Sequence, residues 1–196
     1  MRIINIKKII IFLFAIGLIV IVTGCARWPD GPGPGPGEPE NQLKITIELA
    51  GEINIFDGIY YIGLDTDGPS GIGLGSDIGD WEGYYYYVKL DSMGCYLYPK
   101  EEGSTISQLS YSTSDIGSKL QITIALSDLE DLEESIGINA VTTDSDGSTT
   151  YDYLDDHFYI DTLLYSTGEG ISSIDLEDDE ADFDIIKATA VIATLY

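Results

Sequence analysis

The chain has 196 residues, 44% of them hydrophobic, with 34 acidic against 9 basic side chains and a formal net charge of -25. A field of that sign repels nucleic acid and anionic lipid heads, so neither is expected as a partner. It leaves cations and uncharged or cationic molecules as candidates, and it reads equally as a solvated acidic surface.

The N-terminus carries Arg2, Lys7 and Lys8, then an unbroken apolar run from Ile9 to Val22, then Thr23, Gly24 and Cys25. That is the order of a secretory signal peptide over residues 1–24. A helix of 14 residues rises about 21 Å in all, short of a hydrocarbon core of about 30 Å, so a permanent span is not expected. Val22-Thr23-Gly24-Cys25 resembles the lipobox of bacterial lipoproteins at all four positions. The resemblance implies that the Cys25 thiol receives a diacylglyceryl group and that the chain is cut between Gly24 and Cys25. Acyl chains, palmitate among them, then anchor the protein to a membrane outside the cytoplasm, each buried CH₂ contributing about 0.8 kcal/mol. Ala26 follows the cysteine where the enteric inner-membrane signal has aspartate, which implies the outer membrane or cell surface of the envelope.

Without the signal peptide, 6 basic residues face 34 acidic ones, a charge of -28. Residues 25–42 read as the lipidated cysteine and a tether. Gly31 to Gly37 alternates glycine with proline, a composition that suits neither helix nor sheet and predicts an extended spacer. Residues 43–196 suit one domain with its own core. Cys95 is then the one remaining cysteine, so the domain has no internal disulfide, and its alternating surroundings predict a buried small hydrophobe. Period-two alternation predicts strands at 43–49, 58–64, 84–90, 94–98, 120–126, 136–143, 157–165 and 185–196. Ser127 and Glu130 form a capping-box pattern that predicts one short helix over the residues that follow, to Glu134. Gly- and Asp-rich turns at short intervals complete the pattern of an all-β, two-sheet antiparallel sandwich with at most one or two short helices.

Three phrases stand out along this layout: Tyr60-Tyr61-Ile62-Gly63-Leu64-Asp65-Thr66-Asp67-Gly68, Leu120-Gln121-Ile122-Thr123-Ile124-Ala125-Leu126-Ser127-Asp128-Leu129 and Ala140-Val141-Thr142-Thr143-Asp144-Ser145-Asp146-Gly147. They resemble the extracellular β-sandwich superfamily that contains DOMON domains and family 9 carbohydrate-binding modules. The resemblance implies a binding module for sugars, or in some branches haem, and not an enzyme. His157 and Met93 are the one histidine and one methionine of the processed chain, and a His/Met pair is the axial ligation of some haem-binding DOMON domains. No motif surrounds either residue, and haem is not expected.

The candidate ligand-binding segment is Trp81-Glu82-Gly83-Tyr84-Tyr85-Tyr86-Tyr87, beside Asp77 and Asp80. On a strand, Tyr84 and Tyr86 share one face and Tyr85 and Tyr87 the other, so one pair packs inward and one makes an outer aromatic strip. Such a strip suits the apolar faces of sugar rings, with carboxylates accepting from sugar hydroxyls; tyrosine is also simply a good strand residue. Asp65 with Asp67, and Asp144 with Asp146, each bring two carboxylates to one loop, as calcium requires. Neither loop is an EF-hand: the first has Pro69 where a third ligand should stand, the second Thr149 where glycine is needed. Asp-Gly is also a common hairpin turn. Seven acids lie between Asp175 and Asp184 with no base among them, which reads as a cation site or a solvated loop. One histidine and no Gly-x-Ser-x-Gly elbow leave no hydrolytic triad.

The function expected is a membrane-anchored extracytoplasmic binding module with carbohydrate as ligand and calcium-stabilised loops, and no catalytic residues. The alternative is a structural envelope lipoprotein that contacts a protein partner through a sheet edge or face. A carboxylate-dependent glycosidase comes third. Cys25→Ser should stop lipidation and leave an unprocessed or soluble product; normal processing and unchanged membrane fractionation of that variant would overturn the anchor.

Overall fold

The computed structural model describes residues 40–68, 74–81, 85–99, 105–114, 117–172 and 181–195. The signal peptide, Cys25, the Gly/Pro run, Tyr84 and the acids from Asp175 to Glu180 lie outside the described residues. Among these, twelve strands run in chain order: β1 (Glu40–Leu49), β2 (Gly58–Asp65), β3 (Tyr86–Asp91), β4 (Gly94–Tyr98), β5 (Ser107–Gln108), β6 (Ser110–Thr113), β7 (Lys119–Ala125), β8 (Ser135–Asp144), β9 (Thr150–Tyr153), β10 (Phe158–Asp161), β11 (Thr167–Ile171) and β12 (Ile185–Leu195).

They form two antiparallel sheets. One has five strands in the order β11-β12-β1-β7-β6; the other has seven, in the order β10-β8-β2-β3-β4-β5 with β9 also paired to β8. The chain is an all-β, two-sheet antiparallel sandwich, as the alternation predicts. Leu43, Ile45, Ile47 and Leu49 of β1 point inward with Leu120, Ile122 and Ile124 of β7. They meet Tyr60, Ile62 and Leu64 of β2, Val88 and Leu90 of β3, and Ile136 and Ile138 of β8. Cys95 is buried in this core, where burial first, and Asp91 second, push its thiol up to about 12. It packs as a small apolar group.

β2 and β8 are buried on nearly every residue, on both faces. The second cover is the segment 74–81, which lays Leu74 and Trp81 on the outer face of the seven-stranded sheet together with Ile59, Tyr61 and Val141. Gly63 makes room: a Cβ there would stand 2.7 Å from Leu74 and 3.1 Å from the Trp81 ring. The buried indole donates from Nε1 to the Gly75 carbonyl at 3.0 Å.

Three sequence expectations are corrected. The predicted helix is a single 3-10 turn, Leu126–Asp128. A capping Ser127 would accept the Glu130 backbone N–H, but that N–H donates to the Tyr86 hydroxyl at 2.9 Å, and Ser127 donates to the Glu40 carboxylate at 3.1 Å. Leu129, extended in backbone, is drawn into the core at the place where a helix would continue. The strand predicted over 157–165 is the shorter β10, because Thr162 leaves the ladder and donates to the Glu133 and Glu134 carbonyls. β1 starts at Glu40, which pairs with Leu195, so Glu40 to Gln42, assigned to the tether, belong to the sheet. β5, β6, β9 and β11 carry too few apolar residues to be predicted as strands.

Tyr86 faces the core at 5% exposure while Tyr87 faces outward. Tyr86→Ala should cost about 3 to 5 kcal/mol, by analogy with large buried aromatics, and Tyr87→Ala much less, read from urea denaturation. A larger cost for Tyr87→Ala than for Tyr86→Ala would mean that β3 sits in the other register.

Candidate functional site

The outer face of the seven-stranded sheet carries a run of tyrosines that lie far apart in sequence. In the ladders Tyr87 opposes Gly63 on one side and Tyr98 on the other, and Tyr61 opposes Lys89. The rings of Tyr87 and Tyr98 stack with centroids 4.7 Å apart and planes 3° from parallel. Parallel rings this close cannot lie flat side by side, so they stand up from the sheet at the strand spacing. Tyr61 leans toward Tyr87 at 6.4 Å and 47°. Ile78 and Gly79 form one wall and Gly147 part of the rim of an open cleft of about 360 Å³ lined by Tyr61, Tyr87, Lys89 and Tyr98.

The wall is positioned by Asp77, which caps its 3-10 turn (Ile78–Asp80) by accepting the Gly79 N–H at 2.9 Å. The rim is the hairpin between β8 and β9. Gly147 takes φ +76 there, a conformation that suits glycine. Asp144 accepts from Ser148 N at 2.8 Å and Thr149 N at 3.2 Å through one oxygen, and from Ser148 Oγ at 3.0 Å through the other. Asp146 accepts from Ser148 N at 3.0 Å. Desolvation acts to raise the Asp144 pKa, but the hydrogen bonds from Thr149 and Ser148 outweigh it and bring it to about 2. At the floor, Lys89 pairs with Asp91 at 3.0 Å. Burial, then Tyr87, Asp91, Tyr98 and Asp144, push the Tyr61 phenol up to about 12, so it remains a hydrogen-bond donor at neutral pH.

Of the residues singled out in sequence, Tyr87 lines the cleft and Asp77 shapes its wall. Tyr85 shares the outward side, turned toward Asp65 and Tyr159; burial first and those neighbours next raise its pKa. Tyr86 is core. Trp81 is 0% exposed, so its indole offers no face for stacking and acts as packing. Asp80 ends the 3-10 turn. Asp65 closes β2 at 1% exposure and accepts the Asp67 N–H at 3.0 Å. Because Asp65 pairs with Gly137 and Gly58 with Asp144, the Asp65/Asp67 and Asp144/Asp146 loops lie at opposite ends of β2. His157 contacts Tyr159, Nε2 to the phenol oxygen at 3.1 Å. It adjoins β10, whereas Met93 sits in the β3–β4 turn; β8, β2 and β3 lie between, about four spacings of about 4.8 Å. Among the described residues no three His, Cys, Asp or Glu side chains converge as metal ligands.

Sequence reasoning missed Tyr61, Tyr98, Lys89 and Gly147. Alternation marked their strands; only the pairing of β2, β3 and β4 brings them together. Compared with known proteins, the chain matches no family model, and no curated protein or solved structure is significantly similar to it.

The fold holds the Tyr61 proton from its ordinary 10.0 up to about 12. Over that window the unfolded chain releases a proton that the folded one keeps, so stability is full below pH 10 and falls as pH rises through the window. Tyr61→Phe should flatten that fall in urea titrations at alkaline pH. An unchanged slope would place the phenol in solvent.

Proposed function

We propose that the chain is a lipid-anchored extracytoplasmic binding module whose cleft takes an uncharged carbohydrate. The observation that carries this reading is the convergence of Tyr61, Tyr87 and Tyr98, from three different strands, on one cleft of about 360 Å³, within the range of about 300 to 1,000 Å³ usual for small-molecule sites. Upright phenol rings offer apolar edges to sugar C–H groups. The Tyr61 hydroxyl donates, and the Lys89–Asp91 pair adds a donor and an acceptor for sugar hydroxyls. Asp91 and Asp144 close by disfavour an anionic sugar, since one lysine already paired cannot offset them. Asp91 is the one carboxylate assigned to the cleft among the described residues, and it is already paired with Lys89, whereas glycoside hydrolysis uses two carboxylates flanking the bond; the sequence resemblance to family 9 carbohydrate-binding modules points the same way. Calcium-stabilised loops belong to the same reading: calcium at Asp144 and Asp146 would displace the hydrogen bonds from Ser148 and Thr149.

A glycan array probed with the detergent-solubilised lipoprotein, with calcium and with chelator, tests this. Tyr87→Ala and Tyr98→Ala should each weaken the best glycan at least about tenfold, about 1.4 kcal/mol, with little change in melting temperature. No glycan bound, or binding that survives both substitutions, would sink the carbohydrate reading; binding and melting indifferent to chelator would remove the calcium.

A further inference from the structure

Most large apolar side chains exposed on the described surface, such as Phe56, Met93 and Ile171, are separated along the chain, but Leu163, Leu164 and Tyr165 stand in succession at 70%, 43% and 67% exposure. Turns that serve only to reverse the chain carry glycine, asparagine, aspartate or serine. Here Tyr165 holds φ +66, a left-handed conformation that a bulky aromatic rarely adopts and that persists only where its surroundings impose it. They do so from both sides. Thr162 N donates to the Glu134 carbonyl at 2.9 Å, Ser166 N to Leu163 O at 3.1 Å, Tyr165 N to Ile192 O at 2.9 Å, and Ile192 N returns to Ser166 O at 3.1 Å. The turn is pinned with its apolar side chains held outward.

Its position selects an occupant. Ile192, which receives the Tyr165 N–H, pairs with Leu43 near the start of β1, and β1 begins at Glu40. The turn therefore stands about two strand spacings, about 10 Å, from the first strand of the domain. Cys25 lies 15 residues before Glu40; a coil of that length has an end-to-end distance of roughly 20 Å and a fully extended chain about 50 Å. The cleft rim lies at the other end, since Asp144 pairs with Gly58, beyond the end of β1. The chain that leads from Cys25 therefore joins the sandwich at its Leu163 end, opposite the Gly147 rim.

We infer that Leu163, Leu164 and Tyr165 form a finger that dips into the lipid surface, a second membrane contact beside the lipid anchor; the inference rests on the lipid-anchor reading of Cys25. Two leucines enter the acyl boundary, and the tyrosine ring sits at the headgroups with its hydroxyl in water. Glu133 and Glu134, both exposed, border the turn through their carbonyls, so the finger suits zwitterionic lipid heads and is repelled by anionic ones.

The test uses full-length lipidated protein in phosphatidylcholine vesicles, with a nitroxide at Leu164→Cys or, as reference at the opposite end of the sandwich, at Ile171→Cys. Cys95 is buried and Cys25 would be blocked by its lipid. Collisions with a water-soluble nickel complex should be severalfold fewer at position 164 than at 171, and collisions with oxygen correspondingly more. Equal nickel access at both positions, in protein that floats with the vesicles, overturns the finger alone. Failure of the protein to float removes the anchor reading and the finger with it. A position 164 label open to water in vesicles but shielded in native envelopes would mean that a protein covers the turn, and would likewise overturn the lipid contact.

Discussion

An indole laid on a glycine organises the seven-stranded sheet. Trp81 is fully buried against Gly63, where no side chain intervenes, and burying about 150–250 Å² of aromatic surface at about 25 cal/mol per Å² is worth roughly 4 to 6 kcal/mol. That is a large share of the 5 to 15 kcal/mol by which a domain is typically stable. Asn139 adds a hydrogen bond from Nδ2 to the Leu74 carbonyl at 2.8 Å. The packed loop gives β2 and β8 a second buried face. It supplies the Ile78–Gly79 wall of the cleft, and it passes through the Tyr85 N–H to Trp81 O bond at 2.9 Å into β3, which sets Tyr87 outward.

Acidic side chains contribute to this fold mainly as acceptors for turns. Asp182 receives the Glu52 N–H at 3.0 Å, and Asp152 receives the Ile185 N–H at 2.6 Å. The Asp152 pKa is raised, by burial first, with Asp184 and Asp155 adding to it against the hydrogen bonds. The ion pairs Lys89–Asp91, Lys119–Glu48 and Lys187–Glu169 lie near the surface, where each contributes about 0 to 1 kcal/mol. The sandwich is therefore held by its two apolar layers, and its negative charge is distributed over turns that use carboxylates structurally. Asp144 and Asp146 are among these acceptors, taking hydrogen bonds from Ser148 and Thr149 in the β8–β9 hairpin.

The domain is asymmetric along its strands. One end carries the start of β1 and the exposed Leu163–Leu164–Tyr165 turn; the other carries the β8–β9 hairpin that rims the tyrosine cleft. On the proposed reading the first faces the membrane and the second faces outward, an arrangement that leaves a ligand site accessible on a tethered protein. The separation follows from topology, because β1 and β2 are consecutive antiparallel strands in different sheets and place Glu40 and Asp144 at opposite ends.

Alternation along the chain was enough for the all-β class and for eight of the strands to within a few residues, because a strand with one buried face must alternate. It likewise marked Cys95 as a buried small hydrophobe and placed Tyr86 and Tyr87 on opposite faces of their strand. It did not determine which tyrosines face outward, since period two is satisfied by either register and the choice rests on β3 pairing with β2 and β4. Ser127 and Glu130 show the same limit for helices: their local capping pattern lost to a tertiary acceptor, the Tyr86 hydroxyl, which takes the Glu130 N–H from 44 residues away. Trp81 read as a ligand platform because nothing local shows that Gly63 lies beneath it. The cleft was legible only in fragments, as Tyr61, Tyr87 and Tyr98 lie on strands whose adjacency is a long-range property; strand pairing, which short-range patterns do not encode, decided it.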